Sequence, residues 1–185
     1  LGDSFAFGEG VALDEAFPSH LEKSLQEQAP AGVRYQVLNA ALSGYGTADE
    51  LARLRDYSSL VRPHAVVVAF NLNDPIPESD MIPFEDDLMN LRTSASSDGG
   101  SVSALYNLIS DRRSNRQRTS EIEAWYRSFY VGERADRWDR AAGDLSAMAA
   151  YCREHDIELM VAVLPLIHKL DDHPFTDIHD QIIGF

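Results

Sequence analysis

The sequence predicts an α/β fold, a doubly wound parallel sheet flanked by helices. Three observations lead there. Ala65-Val66-Val67-Val68-Ala69-Phe70 is an unbroken apolar run, the pattern of a strand buried on both faces of a parallel sheet. Ile157 to Leu164 reads as a further strand, stopped by Pro165. Around these runs, apolar residues recur at helical spacing, so strands and helices alternate and right-handed crossovers follow.

Taken in order, the chain opens on Leu1-Gly2-Asp3-Ser4-Phe5-Ala6-Phe7-Gly8. A Gly-Asp-Ser step between an apolar and an aromatic residue reads as a strand end turning into a helix, with the Ser4 hydroxyl left at the turn. Glycine permits the tight turn, and the first helical turn has free N–H groups. From Asp14 to Gln28, Phe17, Leu21 and Leu25 fall on one face of an amphipathic helix that ends at Pro30-Ala31-Gly32. Val33 to Leu38 alternates in a β-rich composition and reads as the second strand, running into the loop Asn39 to Thr47. Leu51, Leu54 and Val61 mark the next helix, from Ala48 to Pro63, and the apolar run 65–70 is then the third strand.

Residues 75–133 interrupt the alternation as an insertion after that strand. Pro75, Pro77 and Pro83, a Ser/Gly-rich loop at 94–101 and a basic run from Asp111 to Arg118 lead to the aromatic group Trp125, Tyr126, Phe129 and Tyr130. An insertion next to a site loop suits a lid or a substrate-selecting wall, and equally a packed helical excursion. The arginines read as a solvated face. Regular structure returns in a helix from about Ala135 to Glu154, with Trp138, Leu145, Met148 and Cys152 on its inner face; Cys152 is expected in the core. Thr176 to Gly184 reads as a last helix.

With 185 residues and 44% hydrophobic composition, a single domain with a real core is expected. A net charge of −14 argues against nucleic acid and anionic membranes as partners, because tracking phosphates requires clustered Lys and Arg. One cysteine excludes an intrachain disulfide, and no Cys/His spacing suggests a structural zinc site. No apolar run approaches the roughly 18 residues of a membrane span. Neither a phosphate-binding loop nor a dinucleotide fingerprint is present: Gly8-Glu9-Gly10 lacks the third glycine and puts a carboxylate where phosphate would lie. The nucleophile elbow Gly-x-Ser-x-Gly is absent as well.

In a parallel sheet, ligands bind at the carboxyl ends of the strands, which gathers Ser4, Gly44 and the Asn71-Leu72-Asn73-Asp74 loop at one edge. Gly2-Asp3-Ser4-Phe5, Asn39-Ala40-Ala41-Leu42-Ser43-Gly44 and Asn71-Leu72-Asn73-Asp74, in that order on successive strand ends, resemble the motifs of the SGNH/GDSL hydrolase superfamily, a likeness clearest over the first 75 or so residues. The resemblance implies a flavodoxin-like sheet and a serine esterase or acylhydrolase, with Ser4 as nucleophile and Gly44 and Asn73 as oxyanion donors. It implies no metal or organic cofactor and a small-molecule or carbohydrate ester as substrate. An O-acetyltransferase of a carbohydrate shares the same apparatus and differs only in the acceptor; an inactive binding module is the non-enzymatic alternative.

Two departures stand out. The family's usual glycine two residues before the block III asparagine is Asn71 here. Its general base is a histidine with an aspartate three residues earlier, and none of His20, His64, His155, His168, His173 and His179 has one. The resemblance therefore puts that block beyond Phe185, with a domain incomplete at both ends and His173 or His179 as stand-ins.

Overall fold

The computed structural model describes residues 1–76, 119–166 and 173–185. Its elements run α1 (Ser4–Phe7), a 3₁₀ turn (Leu13–Glu15), α2 (Phe17–Glu27), α3 (Thr47–Val61) and β1 (Ala65–Phe70). After these come α4 (residues 119–128), α5 (Asp136–Glu154), β2 (Glu158–Val163) and α6 (Thr176–Ile183). The fold is α/β with a parallel sheet: β1 pairs with β2 from Ala65 opposite Glu158 to Phe70 opposite Val163. On the other side of β1, Gly2 forms a parallel bridge to Ala69, so the segment leading into Ser4 lies in the sheet plane.

The period-two character of β1 explains what covers each face. Val66, Val68 and Phe70 point into the main core with Leu51 and Leu54 of α3 and Trp138, Leu145, Met148 and Cys152 of α5. Ala69 points the other way, against Ala6 of α1 and Ala41. Both faces are thus covered at the carboxyl end of β1, where Val68 and Phe70 are fully buried. Helices α3 and α5 are tied together at two points, by Thr47 Oγ1 donating to Asp144 Oδ2 at 2.9 Å and by a 2.6 Å bond between the Ser58 and Tyr151 hydroxyls. Cys152 is buried, and burial pushes its thiol pKa up, as suits a small core residue.

The expected strand at 33–38 is not one. Two of its backbone N–H groups are taken by side chains of α2, Tyr35 N by Gln26 Oε1 at 3.1 Å and Val37 N by Glu22 Oε2 at 2.6 Å, while Val33, Tyr35 and Leu38 stay exposed. Composition favoured β, but pairing requires a neighbouring strand edge, and the helix supplies the hydrogen bonds instead. Phe17 also departs from its expected inner face and is exposed, whereas Leu21 and Leu25 are half-buried.

Most of the 75–133 insertion, including Pro83, the 94–101 loop and the basic run at 111–118, lies outside the described residues. Its final part is packed: Phe129 and Tyr130 are buried, and the Tyr130 hydroxyl donates to Leu72 O at 3.1 Å. That bond anchors the insertion's exit to the loop carrying Asn73. Among the described residues, no helix is long and apolar enough to cross a membrane.

Candidate active site

Three segments meet around Ser4. The first is the turn itself. Gly2 has φ +150°, and a Cβ there would fall 2.6 Å from Ala6 Cβ, so only glycine lets α1 start this close to the strand. Asp3 caps α1 by accepting from Phe5 N at 3.0 Å, and Ser4 follows in the first helical turn, partly exposed.

The Asn71–Asp74 loop forms the second segment. Asn73 Nδ2 donates to Asp3 Oδ2 at 2.8 Å, and Asn71 Nδ2 donates to Asp3 Oδ1 at 2.9 Å. Asp74 Oδ2 accepts from Asn71 N at 2.9 Å, closing the turn on itself.

The loop 39–46 is the third. Leu42 N donates to Gly2 O at 3.2 Å, and Asn39 Nδ2 donates to the carbonyls of Ala6 and Phe7 at 3.0 and 3.2 Å. Ser43 Oγ reaches Glu9 Oε2 at 2.8 Å. Gly44, at φ +81°, is the left-handed residue at the tip of this loop. Ser4, Gly44 and Asn73 therefore belong to a turn and two loops, each loop hydrogen-bonded to the turn that carries Ser4. No hydrogen bond among the described residues takes the backbone N–H of Ser4 or of Gly44.

Behind Ser4 lies a set of buried carboxyl groups that the sequence reading did not single out. Asp3, Glu50 and Asp74 are all buried, Glu50 at 0% exposure with neither carboxyl oxygen hydrogen-bonded. Burial pushes the Glu50 pKa up to about 7, opposed by the Leu1 ammonium and reinforced by Asp3. Burial, reinforced by Glu50 and Asp3, also holds Asp74 well above the usual carboxylate range. These groups do not form a metal cage: among the described residues, no three His, Cys, Asp or Glu side chains are placed to hold an ion. A signal for Glu50 existed, since it lies four residues before Leu54 and eight before Ser58, on the inner face of α3.

In front of Ser4 is an open groove of about 540 Å³ lined by Phe5, Val11, Ala16 and Phe17, with Glu9 and Glu15 on its walls. Exposed Phe17 is thus part of the groove beside the serine rather than of the core.

None of the described histidines lines this groove. His173 and His179 stack on each other, with ring centroids 4.8 Å apart, and His173 packs edge-on against Phe175. Burial, together with His173, lowers the His179 pKa. His155 stacks on Tyr151, His20 and His64 are exposed, and His168 lies outside the described residues. No described histidine is hydrogen-bonded to Ser4.

A family model for the GDSL-like lipase/acylhydrolases matches residues 1–181. No curated protein sequence matches the chain. Among solved structures, the crystal structure of TesA is similar at 20% identity and a TM-score of 0.49, over 89% of this chain and 58% of that one. A mutant of the esterase AlinE4 is similar at 20% identity and a TM-score of 0.37, over 100% of this chain and 88% of that one. The chain spans less than two thirds of the length of TesA.

Proposed function

The chain belongs to the GDSL-like lipase/acylhydrolase family, and from that membership we propose that it is a serine-dependent ester hydrolase working through an acyl-Ser4 intermediate. Residues 1–185 act in this reading as one domain, with 75–133 as an insertion within it. Ser4 Oγ attacks the ester carbonyl and gives up its proton to a base. The tetrahedral oxyanion is met by the backbone N–H groups of Ser4 and Gly44 and by the Asn73 amide. Collapse expels the alcohol and leaves acyl-Ser4, which water then hydrolyses with the same donors in place. The base is a histidine that the described residues do not place beside Ser4.

What carries the reading is the bonding among the three segments. Asp3 ties Asn73 to the Ser4 turn, and Leu42 ties the Gly44 loop to the same turn. A hydroxyl with fixed donors from two neighbouring loops is the arrangement acyl transfer requires. The groove adds a preference. Its aromatic and aliphatic lining suits an apolar group next to the ester, and Glu9 and Glu15 disfavour an anionic one, so the substrate class is a small neutral ester, a carbohydrate acetate included.

The test is hydrolysis of p-nitrophenyl acetate by the natural protein beside its Ser4→Ala variant, with matched melting curves. Turnover should fall at least about a thousandfold in the variant. Equal rates in two folded samples would sink the esterase reading.

A further inference from the structure

Asn71 takes no part in the chemistry just described, and yet it is buried to 1% exposure with its amide committed. Its Nδ2 donates to Asp3 Oδ1 at 2.9 Å, while Asn73 Nδ2 donates to the other oxygen, Oδ2, at 2.8 Å. The backbone of Asn71 is fixed as well, its N–H bonded to Asp74 Oδ2 at 2.9 Å and its carbonyl accepting from Asp74 N at 3.1 Å. One carboxyl group therefore bridges two amides, one oxygen to each, and both loop asparagines are referenced to the turn that carries Ser4.

A primary amide carries two N–H bonds in a single plane. Once one of them is bonded to Asp3, the direction of the other is set. We propose that Asn71 is a positioning residue: by holding Oδ1 it fixes the plane of the Asp3 carboxyl, so that Oδ2 orients the Asn73 amide with its second N–H toward the oxyanion. This inference rests on the serine-hydrolase reading above. It gives a role to the asparagine that stands where the resembling family has glycine. A glycine there has no amide to offer, and Phe5 N would be left as the remaining donor to Oδ1, at 3.0 Å.

Asn71 acts through Asn73, so the two should not act independently, and the decisive experiment is a double-mutant cycle in the natural protein. Asn71→Ala, Asn73→Ala and the double variant are compared for kcat and KM on p-nitrophenyl acetate, with active enzyme counted by titrating Ser4 with a p-nitrophenyl phosphonate. Removing the donor in Asn73→Ala should lower kcat by about 10²–10³-fold. Loss of its orientation in Asn71→Ala should lower kcat by about 10-fold with KM changed less than about twofold, and the double variant should match Asn73→Ala alone. An Asn71→Ala enzyme with unchanged kcat overturns the proposal. So does a double variant slowed by the product of the two single factors, the result expected of a merely structural residue. If Asn71→Ala does not fold, Asn71→Ser carries the same comparison.

Absence of wild-type turnover would remove the hydrolase reading but not the geometric claim, which is then read from the Asn73 side-chain amide protons by NMR. Two widely separated, slowly exchanging signals in the wild type that converge in the Asn71 variant support it. An Asn73 amide spectrum that does not respond to the substitution overturns it.

Discussion

The two loops that flank Ser4 are held in opposite ways. On the Asn73 side the polar groups behind the half-buried Asn73 are buried: Asp3, Asn71 and Asp74 are each at most 4% exposed, and their bonds run side chain to side chain or close a tight turn. On the Gly44 side Asn39, Leu42, Ser43 and Gly44 are exposed, and the loop is fastened by Leu42 N donating to Gly2 O, by Asn39 reaching the carbonyls of α1 and by one surface bond from Ser43 to Glu9. Buried hydrogen bonds cannot be exchanged for water, so losing a partner there costs the full desolvation of what remains, whereas an exposed bond is replaced by solvent at small cost. One side of the site is therefore rigid at the expense of stability, and the other can adjust around a ligand.

The largest expected effect tests that expense. Glu50 has no hydrogen-bonding partner, and burial raises its pKa from the ordinary 4.5 to about 7 in the folded state. Between those pH values the native state keeps a proton that the unfolded state has released, so stability falls as pH rises through this window and levels off above about pH 7. The full loss is about 3 kcal/mol. Urea denaturation at pH 4.5, 6 and 8 should show this decline in the wild type, with buried Asp74 adding to it in the same direction, and Glu50→Gln should make it shallower and be the more stable protein at pH 8. A pH-independent wild type in that range would mean that the carboxyl is not isolated, and that the Asn73 side is less costly than its burial suggests.

A second pair of substitutions sets the two loops against each other directly. A Cβ on Gly46 would fall 2.8 Å from the carbonyl oxygen of Asp74, a backbone atom in the rigid loop, so Gly46→Ala should cost about 2 kcal/mol by forcing that loop to move. Gly44→Ala meets no atom within 4 Å, and its cost is confined to the left-handed backbone at φ +81°, about 1 kcal/mol. Chemical denaturation and kcat together check the contrast, with Gly46→Ala also the slower enzyme because Asp74 adjoins Asn73. Equal costs would show the Asn71–Asp74 loop to be as compliant as its neighbour.

The same division explains what the sequence disclosed. The apolar run 65–70, the inner face of α5 and the stop at Pro165 were legible because burial along a strand or helix leaves a period in the residues themselves. That the Ser4 turn and the Asn71–Asp74 loop lie together was legible from their places beside the strand 65–70, whereas Gly44 follows no strand and reaches the Ser4 turn through the Leu42 N–H. The strand at 33–38 was misread because its composition does not reveal whether a partner edge lies alongside, and Gln26 and Glu22 take two of its N–H groups instead. The Asp3–Asn71–Asn73 network was invisible for a different reason: it joins residues 68 and 70 positions apart, with no local pattern to mark it. Asn71 was noticed only as a departure from the resembling family, and its meaning came from the partner it holds.

The smallest effect is expected on the exposed side. Ser43→Ala removes the bond to Glu9 Oε2, and both groups can turn to water, so stability should change by less than about 0.5 kcal/mol. The bond nevertheless joins the residue before Gly44 to the loop that walls the groove beside Ser4. Freed of it, the Gly44 N–H samples more orientations, and kcat should drop by about two- to fivefold with the melting temperature unchanged. Because Asn39 and Leu42 still hold the loop to the Ser4 turn, a larger drop would mean that this surface bond, and not those two, sets the Gly44 donor. High salt, which screens surface charges such as Glu9 but not the buried Asp3 bonds, should then slow the wild type and leave Ser43→Ala unaffected.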